Sequence, residues 1–402
     1  MGVTASGVST VRLHRLTMVT EYDGIMVGRP DIGSYALFPP EGAETLRMLD
    51  SGLTVPEVAA WYERTYHTSL DFDDFLEVIE DLGFVLAPDE EKPPEPRIRW
   101  QRLGRGVFSR PAMLGYVLLI GTAVVAMVRQ PTLRPSYHHL FFTDQLSLIP
   151  VILTAALVPA ILLHESFHAL AGRRLGLQST LSIGRRLYYL VAETRLDSLL
   201  SVPRRQRYLP FLAGILADFI LISVLTLLAA VLPGGGVAGW LSGLFLAIAF
   251  TSVLRLIWQL MFYLETDLYF VFTTALRCAD LQNAARFHIR THLRRLLRRE
   301  LPQPDIEWSD RDRLVARWYA PLLVLGYAFS LGSLAWAGLP AALHFWSLIA
   351  DRFQGSNTPV EGIVDAVVFI ALTLWQPALL AYVFIRDRRA RNRKNVPEGE
   401  LT

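Results

Sequence analysis

With one cysteine, Cys278, the chain has no internal disulfide and no cysteine-based zinc site. Lysine is almost missing as well. Lys92 and Lys394 are the two among 39 basic residues, an arginine bias that suggests a GC-rich bacterial genome. Met1–Leu16 is polar and lacks an apolar core, so no cleaved secretory signal is expected. Met1-Gly2 followed by Ser6 fits the myristoylation pattern, but a chain with several membrane spans has no need of a lipid anchor. Histidine is scarce, at 9 residues in 402, which gives weight to any spacing in which two occur together.

Apolar residues, by contrast, make up 52% of the chain and are clustered. Runs near twenty residues occur at about Met113–Val128, Leu146–Ala171, Leu209–Leu232, Trp240–Leu264, Tyr319–Trp346 and Ile363–Ile385. Arginine alternates between them. Five between Arg97 and Arg110 lead into the first run, only Arg129 and Arg134 follow it, and eight lie between the second and third. The turn at 233–236 has none, ten lie from Arg277 to Arg317, Arg352 stands alone, and six basic residues follow Ile385. The positive-inside rule then predicts six crossings with both termini cytoplasmic, in a bacterial inner membrane. Arginines so placed serve topology and anionic lipid, so the bilayer is an expected partner and nucleic acid is not.

Residues 1–87 read differently, as a small α+β domain. Val11–Tyr22, Ile25–Arg29 and Ser34–Phe38 are β-rich, with Asp23-Gly24 as a turn signal. Three helices are predicted: Pro40–Leu49, Val55–Tyr66 behind the capping box Thr54/Glu57, and Phe72–Leu82 behind Asp71. Leu70, Phe72, Phe75, Ile79 and Leu82 form an apolar stripe at helical spacing, the pattern of a core-facing helix. A Pro- and charge-rich linker, 88–110, separates this domain from a membrane domain over 111–386, and a basic tail occupies 387–402.

The chemistry concentrates at His164-Glu165-Ser166-Phe167-His168, inside the second apolar run. Two histidines four apart share one helix face, so both imidazoles can reach one Zn²⁺ while Glu165 acts as base on water. Ionisable groups at membrane depth are costly without partners or a function. A catalytic zinc usually takes a third protein ligand, and Asp267, near the expected end of the fourth span, is the best candidate. A second pair, His288 and His292, has no carboxylate among its neighbours. It lies on a predicted basic amphipathic helix, Leu281–Leu301, suited to the membrane surface. Arg255 and Gln259 within the fourth run read as a polar patch facing other helices. The β-rich segment Ser179–Thr194 is expected to form a hairpin or membrane-entering loop that pairs with substrate, or else a surface loop with aromatic anchors.

On these motifs the membrane region resembles the site-2 protease family of intramembrane zinc metalloproteases, in its peptide zinc metalloprotease branch. His164–His168 matches the family's first motif whole. Asp267 matches its later aspartate ligand by placement, although Leu268 replaces the usual glycine. Ala213-Gly214-Ile215-Leu216-Ala217-Asp218 stands where the family has Ala-Gly-Pro-x-x-Asn. The resemblance implies a six-span helical fold with one zinc per chain on His164, His168 and Asp267, and Glu165 as the catalytic base. Asp218 and Glu265 would steady a ligand or position substrate. Residues 1–87 resemble PqqD, a winged-helix-like peptide-recognition domain, through Gly28-Arg29-Pro30, Gly33–Phe38 and Asp74–Val85. That likeness implies a leader-peptide groove between Ser34–Phe38 and Asp71–Leu82, lined by Tyr35, Leu37, Phe75 and Ile79. Together they imply removal of the leader from a ribosomally made, modified peptide. A regulatory protease that releases a membrane-tethered factor is an alternative, as is a non-catalytic receptor or maturation scaffold.

Overall fold

The computed structural model describes residues 10–333, apart from 23, 88–89, 93–97, 144–147, 187–188, 197, 233–234 and 301–307, together with scattered positions between 364 and 386. The Asp23 turn position, the myristoylation pattern, most of the sixth apolar run and the basic tail lie outside the described residues. The chain is mostly helical, with a three-stranded antiparallel sheet near its N-terminus. Five described helices are long and apolar enough to cross a membrane.

The chain divides into two compact units. The first comprises 1–112, 167–181 and 194–210, and the second the rest. In the first, β1 (Thr17–Thr20), β2 (Ile25–Arg29) and β3 (Ser34–Phe38) pair in the order β1-β2-β3, with Thr17 opposite Gly28 and Gly28 opposite Tyr35. The predicted first strand is split. Residues 12–14 leave the sheet and bond instead to 84–86, through His14 N–H to Phe84 O at 2.8 Å and Leu86 N–H to Arg12 O at 2.7 Å. This closes the domain's end on its beginning.

Helices α1 (Pro40–Asp50), α2 (Val55–Tyr66) and α3 (Phe72–Asp81) follow. Local chemistry sets their starts. The Thr54 amide donates to Glu57 at 2.8 Å, and the Asp71 carboxylate accepts from the amides of Asp73 and Asp74. Leu13, Val27, Leu46, Leu49, Leu76, Ile79 and Phe84 are buried in one core. Within the expected linker, Gln101–Val107 folds as α4. Its Gly104 lies so close to the end of the later helix Leu148–Arg174 that an added Cβ would sit 2.4 Å from the Leu170 carbonyl oxygen.

The spans begin with α5 (Arg110–Arg129) and α6 (Leu148–Arg174). A two-stranded sheet, β4 (Thr180–Arg186) with β5 (Tyr189–Arg195), then fills the segment expected to form a hairpin. Next come α7 (Arg204–Val231), with Pro210 inside it, and α8 (Gly236–Trp258). The fourth apolar run was expected to stay helical to Leu264, but α8 stops at Trp258. A 3-10 turn spans Phe262–Leu264, Glu265 takes a left-handed conformation, and α9 (Asp267–Leu276) starts afresh. Polar bonding drives the break: Gln259 accepts from the Asp267 amide at 3.0 Å, and its carbonyl accepts from the Thr266 hydroxyl at 2.8 Å.

α10 (Leu281–Leu296) packs along α11 (Asp310–Ser333). Only the first half of the apolar stripe expected on α10 is covered. Leu281 and Ala285 are buried, while Leu293 and Leu297 are exposed. α11 starts nine residues before the expected span, because Ser309 and Asp312 cap it and the buried Asp312 carboxylate also accepts from the amides of Ala279 and Asp280.

Candidate metal centre

α6 carries His164 and His168 one turn apart, both buried, with Glu165 also buried between them in sequence. α9 supplies Asp267 from its first position. One donor atom from each of His164, His168 and Asp267 lies within 4.8 Å of the others, close enough to hold a metal ion, and this is such a group among the described residues. The geometry of each imidazole fits that task. A metal-binding histidine normally donates its other ring N–H to a carboxylate or carbonyl, which fixes tautomer and ring angle. Here His164 Nδ1 lies 3.0 Å from Asp218 Oδ2, and His168 Nδ1 lies 2.7 Å from the Pro210 carbonyl oxygen. Nε2 of His164 is thereby directed to the Asp267 carboxylate, 3.1 Å away.

Two residues read only as a polar patch prove to hold the site's carboxylates. Arg255 on α8 forms an ion pair with Asp218, its Nε 3.1 Å from both carboxylate oxygens. One turn on, Gln259 Nε2 donates to Asp267 Oδ2 at 2.9 Å while its Oε1 accepts from the Asp267 amide. The end of α8 and its capping residue thus fix the carboxylate behind His164 and the carboxylate beside it. Asp218 is 1% exposed, and the arginine supplies the opposite charge that such burial demands. The available signal was two strongly polar side chains four apart in an apolar run.

Glu265 goes elsewhere. Its Oε1 lies 3.5 Å from Arg286 Nη2, and Arg286 also donates to the Tyr327 hydroxyl, so the structure ties Glu265 to α10. The rings of His288 and His292 are 4.6 Å apart, with no carboxylate grouped with them among the described residues. In the N-terminal domain, Tyr35 is half-buried, its ring covering Gly28 so closely that an added Cβ there would lie 2.0 Å away. Leu37 is exposed. Phe75 and Ile79 are buried core residues, which leaves Val78 as the exposed large apolar side chain of α3. Phe75 and Ile79 lie in the core as the apolar stripe predicts.

Compared with models of known protein families, with curated proteins and with solved structures, the chain matches none.

Proposed function

We propose that the chain is an intramembrane zinc metalloprotease of site-2 protease type, with six spans and both termini in the cytoplasm of a bacterial cell. The observation that carries this reading is the donor set of two imidazoles and one carboxylate, each held by a second group: Asp218, the Pro210 carbonyl and Gln259. Two nitrogens and one oxygen are the ligand set of a catalytic zinc that keeps a fourth position open. Zinc bound there supplies a Lewis acid that polarises the scissile carbonyl and acidifies water. Glu165 takes the proton from the attacking water and returns it to the departing amine nitrogen. Asp218 and Pro210 keep both rings in one tautomer through the cycle, and the apolar helices around them limit the water that reaches the site.

The N-terminal domain supports a peptide substrate. Among the described residues β3 has sheet partners on one side only, and an edge strand can accept an extended peptide through its backbone. On this reading the substrate is a leader-bearing peptide and the product is the trimmed peptide. Replacement of Glu165 by Gln tests the enzyme directly. The variant is expected to bind zinc as the wild type does and to leave a membrane-presented peptide uncleaved. Cleavage at the wild-type rate with zinc retained would refute the catalytic reading and favour a structural metal.

A further inference from the structure

Arg207 is 8% exposed, although it is an arginine in the first turns of α7. Its Nε donates to the Val202 carbonyl at 2.9 Å, and its Nη2 donates to Leu200 O at 3.2 Å and to Glu21 Oε1 at 2.5 Å. Glu21 follows β1 directly, and its own amide donates to Gly24 O across the β1–β2 turn, so the carboxylate is presented from a fixed hairpin. The 3-10 turn at Leu199–Ser201 packs on β1 and β2, and Ser198, Leu199 and Val202 are buried there. The N-terminal sheet is thus fastened to the start of α7 by an ion pair largely removed from water.

Three residues further along α7 stands Pro210, whose carbonyl accepts from His168 Nδ1. Proline has no N–H, so the helical bond from 210 back to Gln206 is not made, and the first turn of α7 is short of internal support. The Arg207 guanidinium ties that turn to groups outside the helix, the Val202 and Leu200 carbonyls and the Glu21 carboxylate. We propose that Glu21 and Arg207 are positioning residues: by docking the N-terminal domain on α7 they hold the Pro210 carbonyl against His168, so that domain docking tunes the affinity of the metal site. This rests on the reading of His168 as a metal ligand. Groups that orient metal-bound histidines change affinity by about 10–100-fold when lost. Glu21 and Arg207 act one step further out, so the lower end applies.

The test uses the full-length protein in detergent micelles. Zinc affinity is measured by competition with a chromophoric chelator, and hydrogen exchange is measured on the metal-free protein. Glu21→Gln and Arg207→Met are each expected to weaken zinc binding about tenfold and to raise exchange both in 17–29 and in 207–214. The exchanged pair Glu21→Arg with Arg207→Glu is expected to restore both. If Arg207→Met does not fold, Glu21→Gln carries the comparison, because it removes the charge and keeps the shape. Faster exchange confined to 17–29, with zinc affinity unchanged, would overturn the proposal and leave only a docking contact. A wild-type protein that takes up no zinc would refute the metal site instead; exchange at 207–214 would still decide whether Glu21 steadies α7.

Discussion

Replacing Asp218 by Leu removes the partner of His164 Nδ1 and the counter-charge of Arg255 at one stroke. The arginine is then left in a span with nothing to neutralise it, and its Nη1 already has no hydrogen-bond partner among the described residues. Removing one member of a buried ion pair costs about 3–5 kcal/mol. Arg255→Met is milder, about 1–3 kcal/mol, because His164 still faces the carboxylate. Changing both residues to apolar ones leaves no uncompensated charge, and well-packed apolar replacements of a buried pair are often neutral. The double variant Asp218→Leu with Arg255→Met is therefore expected to unfold later in a denaturant titration than Asp218→Leu alone. Zinc affinity should behave otherwise. It should fall about 10–100-fold in both variants that lack Asp218, with no recovery in the double variant, since the hold on His164 is gone in each. A double variant destabilised by the full sum of the single effects would show that the two residues are not coupled. Unchanged zinc affinity in Asp218→Leu would refute its role behind His164.

Two further predictions concern the first compact unit. Gly104→Ala drives a methyl against backbone on two sides, 2.4 Å from Leu170 O and 3.1 Å from Arg174 N, and should cost about 1–3 kcal/mol in thermal unfolding. Gly106→Ala meets nothing within 4 Å and should be neutral or stabilising, so equal effects of the two would contradict the α4–α6 contact. His14 is buried, and burial first, then the nearby Arg29 guanidinium, hold its imidazole below the usual histidine range. The unfolded chain then binds more protons than the folded one between the lowered value and about 6.5. The stability owed to neutral His14 is full above that range and lost as pH falls through it. Protection of the amides in 11–29, with the intrinsic pH dependence of exchange divided out, should fall as pH drops below about 6.5, and His14→Leu should flatten that response; an acid limb unaltered in the variant would rule His14 out as its source.

Local rules carried much of this fold. β2, β3 and α2 keep their expected bounds because turn and cap chemistry acts within four residues: Gly33 before β3, Thr54 with Glu57 before α2. Asp71 likewise marks the start of α3. The end of α8 was not legible in the same way. Hydropathy runs on through Met261–Leu264, and the break comes from Gln259 bonding to residues 266 and 267, which no apolar window registers. The grouping of His164, His168 and Asp267, which could hold a metal ion, was foreshadowed in the sequence, since two histidines at helical spacing and one carboxylate on a later apolar segment are each anomalous alone. Its supports were not. Asp218 and Arg255 are 37 residues apart, and the Pro210 carbonyl is backbone, so nothing in the side-chain sequence announces that it faces His168.

On the proposed reading, His164, His168 and Asp267 together bind one zinc ion. Elemental analysis of purified wild-type, Asp267→Ala and Glu265→Ala protein tests it most directly. One zinc per chain is expected in the wild type and in Glu265→Ala, since the native Glu265 side chain pairs with Arg286, and zinc should be lost in Asp267→Ala. Full zinc content in Asp267→Ala, or loss in Glu265→Ala alone, would contradict it.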